Sequence, residues 1–408
     1  MAQATGEANK VKISERALKA KPSPTLAITA KANQMKKEGH DIVGLGAGEP
    51  DFDTPELIKD AAIRALKEGF TKYTPTAGTP ELKQAICDKL KKENGLEYSP
   101  AEIIVSCGAK HSLYNAIQAL IDSGDEVIIP TPFWVSYLDQ VNLADGKAVL
   151  VKTDDASHFK ITADQLEKAI TPRTKILILN SPSNPTGMVY SRAELEAIAD
   201  VVVRRNILVL SDEIYEKMLY GGAEFVSFAS LSPDVKALTM TINGVSKAFS
   251  MTGWRIGYAA GAKEIVAAMG RIQDHSTSNP TSIAQKGALQ ALTGPLDDVE
   301  KMVAAFWKRR DMVLDLLKQI PGVSCVKPEG AFYVFPSIAG VLGQKTPKGK
   351  LLKNSDDVAD YLLEDHLVAV VPGSGFGSDT HMRLSYATSE AALKKALGRI
   401  KAAFEVLG

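Results

Sequence analysis

Three β-rich runs in the middle of the chain lead into residues able to do chemistry. KILILNS (175–181) runs into Pro182, Ser183, Asn184, Pro185, Thr186 and Gly187. ILVLSDE (207–213) carries Asp212 near its end, with Tyr215 three residues on. KALTMTIN (236–243) passes through Gly244, Val245 and Ser246 to Lys247, and Arg255 follows eight residues later. In an open parallel sheet, ligands bind beyond the carboxyl ends of the strands. Three such ends offer an amide, a carboxylate with a phenol, and a lysine with an arginine. Pyridoxal 5′-phosphate (PLP) asks for that set. A lysine amine holds its aldehyde as a Schiff base, and a buried carboxylate keeps its pyridine nitrogen protonated. Its phenolate oxygen wants donors such as Tyr and Asn, and its phosphate wants arginine, hydroxyls and a helix N-terminus.

The elements that must position these groups are legible as an alternation. Besides the three runs above, EIIVS (102–106), EVIIP (126–130), AVLVK (148–152) and GYAAG (257–261) read as strands. Amphipathic stretches such as HSLYNAIQALI and RAELEAIADVVVRR lie between several of them. This pattern implies βαβ units, hence an α/β fold with a mostly parallel seven-stranded sheet flanked by helices. An apolar-periodic stretch around 296–319 reads as a linking helix. Beyond Pro321 the pattern changes to GVSCVKPEGAFYVFPS and LVAVVPGS before a closing helix, which suggests a smaller α+β unit. The expected division is an N-terminal segment, 1–55, packing with the small domain, a large domain, 56–320, and a small C-terminal domain, 321–408.

Composition excludes several classes. Of 408 residues, 45% are hydrophobic and 24% charged, with Lys+Arg and Asp+Glu both at 48. A nucleic-acid partner is not expected, because no basic face or run appears. Cys87, Cys107 and Cys325 are far apart and lack metal-ligand or disulfide spacing, so no metal is expected. No apolar run approaches the roughly 18 residues that span a bilayer, and the N-terminus has no secretory pattern, so the expected place is the cytoplasm. GLGAGEP (44–50) and PGSGFG (372–377) do not give the spaced glycines and acid of a dinucleotide loop.

The motifs SPSNPTG (181–187), SDEIY (211–215) and GVSKAFSMTGWRIGY (244–258) together resemble the fold type I PLP aminotransferases. Within them the chain resembles the class I aspartate aminotransferases, nearest the bacterial subgroup that includes aspartate/prephenate aminotransferases. The resemblance runs from LKAKPSPT (18–25) to RLSYATSE (383–390), nearly the whole chain. Its specificity lies in the ordered set N-P-x-G, D-x-x-Y, S-K with a later Arg, and Arg-Leu-Ser-Tyr.

The resemblance implies a role for each residue. Lys247 holds the cofactor covalently and, once freed, moves the proton at the substrate Cα. Asp212 pairs with the pyridinium, although a strand-end Asp is also an ordinary helix cap. Asn184 and Tyr215 serve the phenolate oxygen, Asn184 also initiating its Asn-Pro turn. Ser246, Arg255 and the backbone of Gly108, Ala109 and Lys110 serve the phosphate. Many relatives carry a serine where this chain has Gly244, so one phosphate hydroxyl is missing or supplied elsewhere. Trp134 stacks on the pyridine face, where composition alone makes it a core aromatic. Tyr73 reaches the phosphate of the neighbouring subunit's cofactor, which implies a homodimer with shared active sites. Arg383 clamps the substrate α-carboxylate, and Gly48 lets the backbone approach the substrate. Cys107 reads as a small core residue and His111 as helix surface.

The distal end of the substrate sets specificity. The segment Gln273–Pro280 has no arginine where one subgroup supplies it from the partner subunit. Lys110 matches the lysine that replaces it in the bacterial subgroup, and Lys21 matches a basic residue associated there with prephenate. The implied activity is aspartate:2-oxoglutarate amino transfer, with glutamate or aspartate to prephenate, forming arogenate, as a second reaction. The alternatives are an aromatic or broad-specificity aminotransferase, a PLP β-C–S lyase, and a non-catalytic effector-binding relative.

Overall fold

The computed structural model describes residues 12–20 and 24–408. The seven β-rich runs become one sheet: β1 (Ile103–Ser106), β2 (Glu126–Thr131), β3 (Lys147–Lys152), β4 (Thr174–Asn180), β5 (Leu208–Asp212), β6 (Thr239–Gly244) and β7 (Gly257–Ala260). Their spatial order is β1–β7–β6–β5–β4–β2–β3. Strands β2 to β6 run parallel, while β7 runs against both of its neighbours. A parallel pair needs a crossover element, and residues 245–256 hold only a 3₁₀ turn, Thr252–Trp254. That short connection is why β7 turns back.

Helices cover both faces of the sheet, so β5 and β6 are buried almost throughout. Helix α1 (Ala109–Leu120) leaves the end of β1. Helix α2 (Arg192–Arg205) joins β4 to β5 and starts in a capping box, Ser191 with Glu194. It buries Leu195, Ile198, Ala199 and Val202, whose spacing puts them on one face. Each such Leu or Ile contributes about 1.5–3 kcal/mol when fully buried. Asn206, in the left-handed region at φ 52°, ends α2.

Helix α3 (Asp297–Leu317) forms over the apolar-periodic stretch around 296–319. Its Phe306, Val313 and Leu317 pack with Phe332, Leu384, Leu397 and Ile400. A three-stranded antiparallel sheet lies there, with β8 (Tyr333–Val334) and β9 (Val371–Pro372) flanking β10 (Met382–Ser385). Helix α4 (Glu390–Glu405) closes the chain. The early residues Val43 and Leu45 belong to the same core. Val43–Gly44 pairs in parallel with Val368–Ala369, and the Leu45 carbonyl accepts the Ser385 N–H at 2.8 Å. Among the described residues, no helix is long and apolar enough to cross a membrane, and no acid, His or Cys cluster could hold a metal ion.

Candidate active site

β4, β5 and β6 are neighbours, so their carboxyl ends meet at one edge, with Asn180 opposite Asp212 and Asp212 opposite Ile242. Asp212 is buried there. Tyr137 donates its hydroxyl to Oδ2 at 2.6 Å, and the Ile214 N–H reaches Oδ1 at 3.3 Å. One oxygen thus does the turn-capping expected of any strand-end Asp, and the other is held for a second purpose. Burial pushes the carboxyl up to about 6, against the pull of Tyr137, Ile214 and Lys247. Above that pH it is a buried anion, and it forms no ion pair among the described residues. Buried charges are costly unless paired, so the site wants a cation beside Asp212.

Lys247 lies half-buried beyond β6, its Nζ donating to the Gly48 carbonyl at 2.5 Å. Burial, then the Arg383 and Arg255 charges, lower its pKa to about 8. An amine that loses its proton so near neutrality is both a nucleophile and a base. The Tyr215 and Phe332 rings each lie 5.9 Å from Nζ. Tyr215 itself shares a hydroxyl–hydroxyl hydrogen bond of 2.9 Å with Tyr333.

Arg383 sits in β10, buried. It donates Nη1 to Asn184 Oδ1 at 3.0 Å and Nη2 to the Gly46 carbonyl at 2.7 Å. Its Nε is buried without a partner, and no carboxylate pairs with it among the described residues. A guanidinium with an orphaned N–H and no counter-ion fits a planar, bidentate carboxylate. Asn184 is itself fixed by its backbone N–H, which donates to Asn180 Oδ1 at 2.8 Å. Asn184, Trp134 and Tyr137 line one cavity. Gly48 faces Tyr333, since a β-carbon there would stand 3.3 Å from the hydroxyl. Two residues before Arg383, His381 Nε2 lies 3.0 Å from Asp155 Oδ2, anchoring the start of β10 to the loop after β3.

Gly108, Ala109 and Lys110 open α1, and Arg255 reaches their turn. Gly108 is the helix N-cap at φ 89° and provides no side-chain cap, so the first N–H groups of α1 are free for an anion. Arg255 lies across this turn, donating to the carbonyls of Thr252 at 2.8 Å and Cys107 at 3.2 Å. A β-carbon on Gly108 would come 2.2 Å from Arg255 Nη2. Ser246 is buried nearby in sequence to Lys247. A β-carbon at Gly244 would stand 2.9 Å from Gly257 Cα and 3.0 Å from the Ile256 carbonyl. The serine that the resemblance implies here therefore has no room against β7. Lys110 is exposed, its Nζ 4.9 Å from the Trp134 ring centre. His111 departs from the expected surface role: half-buried, it accepts the Cys107 N–H on Nδ1 at 3.3 Å. Tyr73 is 91% exposed in the single chain. Lys21 lies outside the described residues.

Tyr137, Tyr333 and Asn180 also belong to the site, though none was among the residues expected from the sequence. Tyr137 had one signal, since it stands one helical turn after Trp134 in TPFWVSY; the rings meet edge to face at 5.3 Å.

Residues 40–400 match the family model of aminotransferases of class I and II. The chain belongs to that family. The aspartate aminotransferase of Geobacillus stearothermophilus is 56% identical to this enzyme over 393 residues, 96% of this chain and 98% of that one. A probable aspartate/prephenate aminotransferase of Rickettsia conorii is 51% identical over 396 residues, 97% of this chain and 99% of that one. The crystal structure of the aspartate aminotransferase from Rhizobium meliloti superimposes with a TM-score of 0.95 at 51% identity, covering 98% of this chain and 100% of that one. The enzyme depends on PLP, as its family does. Its residues fit that cofactor: an unpaired buried carboxylate for the ring nitrogen, a low-pKa lysine for the aldehyde, and an uncapped helix start under an arginine for the phosphate. Bound there, PLP supplies an electron sink for the substrate Cα.

Proposed function

We propose that the enzyme transfers an amino group between aspartate and 2-oxoglutarate in two half-reactions, and that prephenate is a further acceptor, yielding arogenate. Arg383 binds the α-carboxylate, Lys247 moves the proton at Cα, and Asp212 keeps the ring nitrogen cationic. The observation carrying the dicarboxylate part is a second cation, Lys110, over the ring of Trp134, which lines the cavity. Desolvation and the Arg255 charge lower the Lys110 pKa, and a bound carboxylate offsets both. The names of the relatives support aspartate and, in part, prephenate. The three-part division at residues 55 and 320 and a cytoplasmic location belong to the same reading.

Lys110→Ala is expected to lower kcat/KM for aspartate and glutamate by roughly one to three decades, the cost of a charge-assisted contact in a partly desolvated site. Alanine and aromatic donors, which have no distal carboxylate, lose far less because Arg383 remains. The comparison is internal to one variant, so misfolding cannot mimic it. Equal losses for all donors would make Lys110 structural and leave the aminotransferase without an assigned side-chain specificity. Assaying the wild-type enzyme with prephenate tests the second acceptor directly.

The proposal includes a homodimer in which Tyr73, so exposed in the single chain, completes the partner's phosphate site. Mixing Lys247→Ala chains with Tyr73→Ala chains should recover activity, because one site of each mixed dimer has both wild-type residues. No recovery after verified subunit exchange would count against shared sites.

A further inference from the structure

Tyr333 is fully buried at the junction of the two sheets and is not among the residues assigned above to cofactor or substrate. It touches both halves of the site at once. Its hydroxyl lies 2.9 Å from the Tyr215 hydroxyl, and its ring centre lies 4.5 Å from the Arg383 guanidinium carbon. Its backbone is held by the antiparallel pairing of Tyr333 with Ser385, two residues from Arg383. The Tyr215 ring meets it edge to face at 5.9 Å, and the Phe332 ring lies tilted against it at 4.6 Å.

We propose that Tyr333 is a positioning residue that fixes the cofactor-side phenol Tyr215 through its hydroxyl and the substrate-side Arg383 through its ring. The proton count sets the direction of the first contact. A phenol has one proton to donate. When Tyr215 spends its own on the cofactor's ring oxygen, Tyr333 must be the donor between the two hydroxyls. A donor on Tyr215 makes Tyr215 a stronger donor in turn. The second contact is electrostatic: the face of the Tyr333 ring attracts the guanidinium, whose Nε has no other partner. One side chain thus sets the cofactor's electronics with one part and carboxylate binding with another. The inference rests on the role that the resemblance implies for Tyr215 and on the one proposed for Arg383.

Two variants of the holoenzyme separate the parts. Tyr333→Phe keeps the ring and removes the hydroxyl. Tyr215 then donates more weakly, the cofactor's ring oxygen keeps more negative charge, and the pH midpoint of the visible absorption band moves up by about half a unit to one unit. Binding of succinate, an unreactive dicarboxylate followed by the same absorption, stays within about twofold of wild type. Tyr333→Leu removes both contacts, so the band shifts similarly and succinate binds about tenfold more weakly. In a Tyr215→Phe background, Tyr333→Phe should add no further shift, because the relay is already cut. An unshifted band in Tyr333→Phe overturns the first contact, and wild-type succinate affinity in Tyr333→Leu overturns the second. Should Tyr333→Leu fail to fold, Tyr333→Phe and the double variant still decide the relay. Failure of the dicarboxylate reading looks different: succinate would not perturb even the wild-type spectrum.

Discussion

Lys247→Ala will bind PLP without the covalent link and will lose turnover by at least about a thousandfold, because nucleophile and proton carrier go together. Absorption of the purified variant reads the missing link, and steady-state assay reads the loss. In the wild type, borohydride reduction and peptide mapping should place the pyridoxyl group on Lys247; its appearance on another lysine would overturn the assignment. The lowered pKa adds a pH test. Covalent capture needs the neutral amine, and Lys247 in the cofactor-free chain loses its proton near pH 8. The capture rate should therefore climb about tenfold per pH unit below that value and level off above it. A lysine of ordinary pKa would keep climbing through pH 9.

Asp212→Ala will retain PLP yet slow removal of the Cα proton by about two decades or more, since the ring nitrogen loses its buried counter-charge. The half-reaction with aspartate, followed by stopped-flow absorbance, isolates that step from product release. The variant also strands the Tyr137 hydroxyl, which donates to Asp212 at 2.6 Å. Some loss of stability is therefore expected, of about 1–3 kcal/mol for an unsatisfied buried donor. Half-reaction rates close to wild type would reduce Asp212 to the turn cap that its bond from the Ile214 N–H already describes.

Much of this site was legible because its chemistry sits where strands end. Asn184, Asp212 and Lys247 each follow an apolar run, and the order of those runs makes them neighbours in space. The reversal of β7 was not legible, since GYAAG reads the same in either direction and only the short link after β6 decides it. Tyr333 and Asn180 were missed for a related reason. Their partners, Tyr215 and Arg383 for one, the Asn184 backbone for the other, depend on how elements or turns close on each other rather than on local spacing. At Gly244 the resemblance implies a hydroxyl missing or supplied elsewhere. The glycine's closeness to Gly257 Cα makes it a packing requirement of the antiparallel strand.

The contact between Arg383 and the Gly46 carbonyl joins residues 337 positions apart. A chain made from its N-terminus presents Gly46 to the ribosome's exit 337 residues before Arg383. Strands β2 to β7, with Asp212 and Lys247, can assemble from contiguous segments in the meantime. The segment around Leu45 cannot, because its partners Ala369 and Ser385 do not yet exist. It must wait unpaired until those residues have been made, a loop closure of very long range. The pocket for the cofactor ring can thus form before the clamp for the substrate, and the clamp closes only after Arg383 itself has been made.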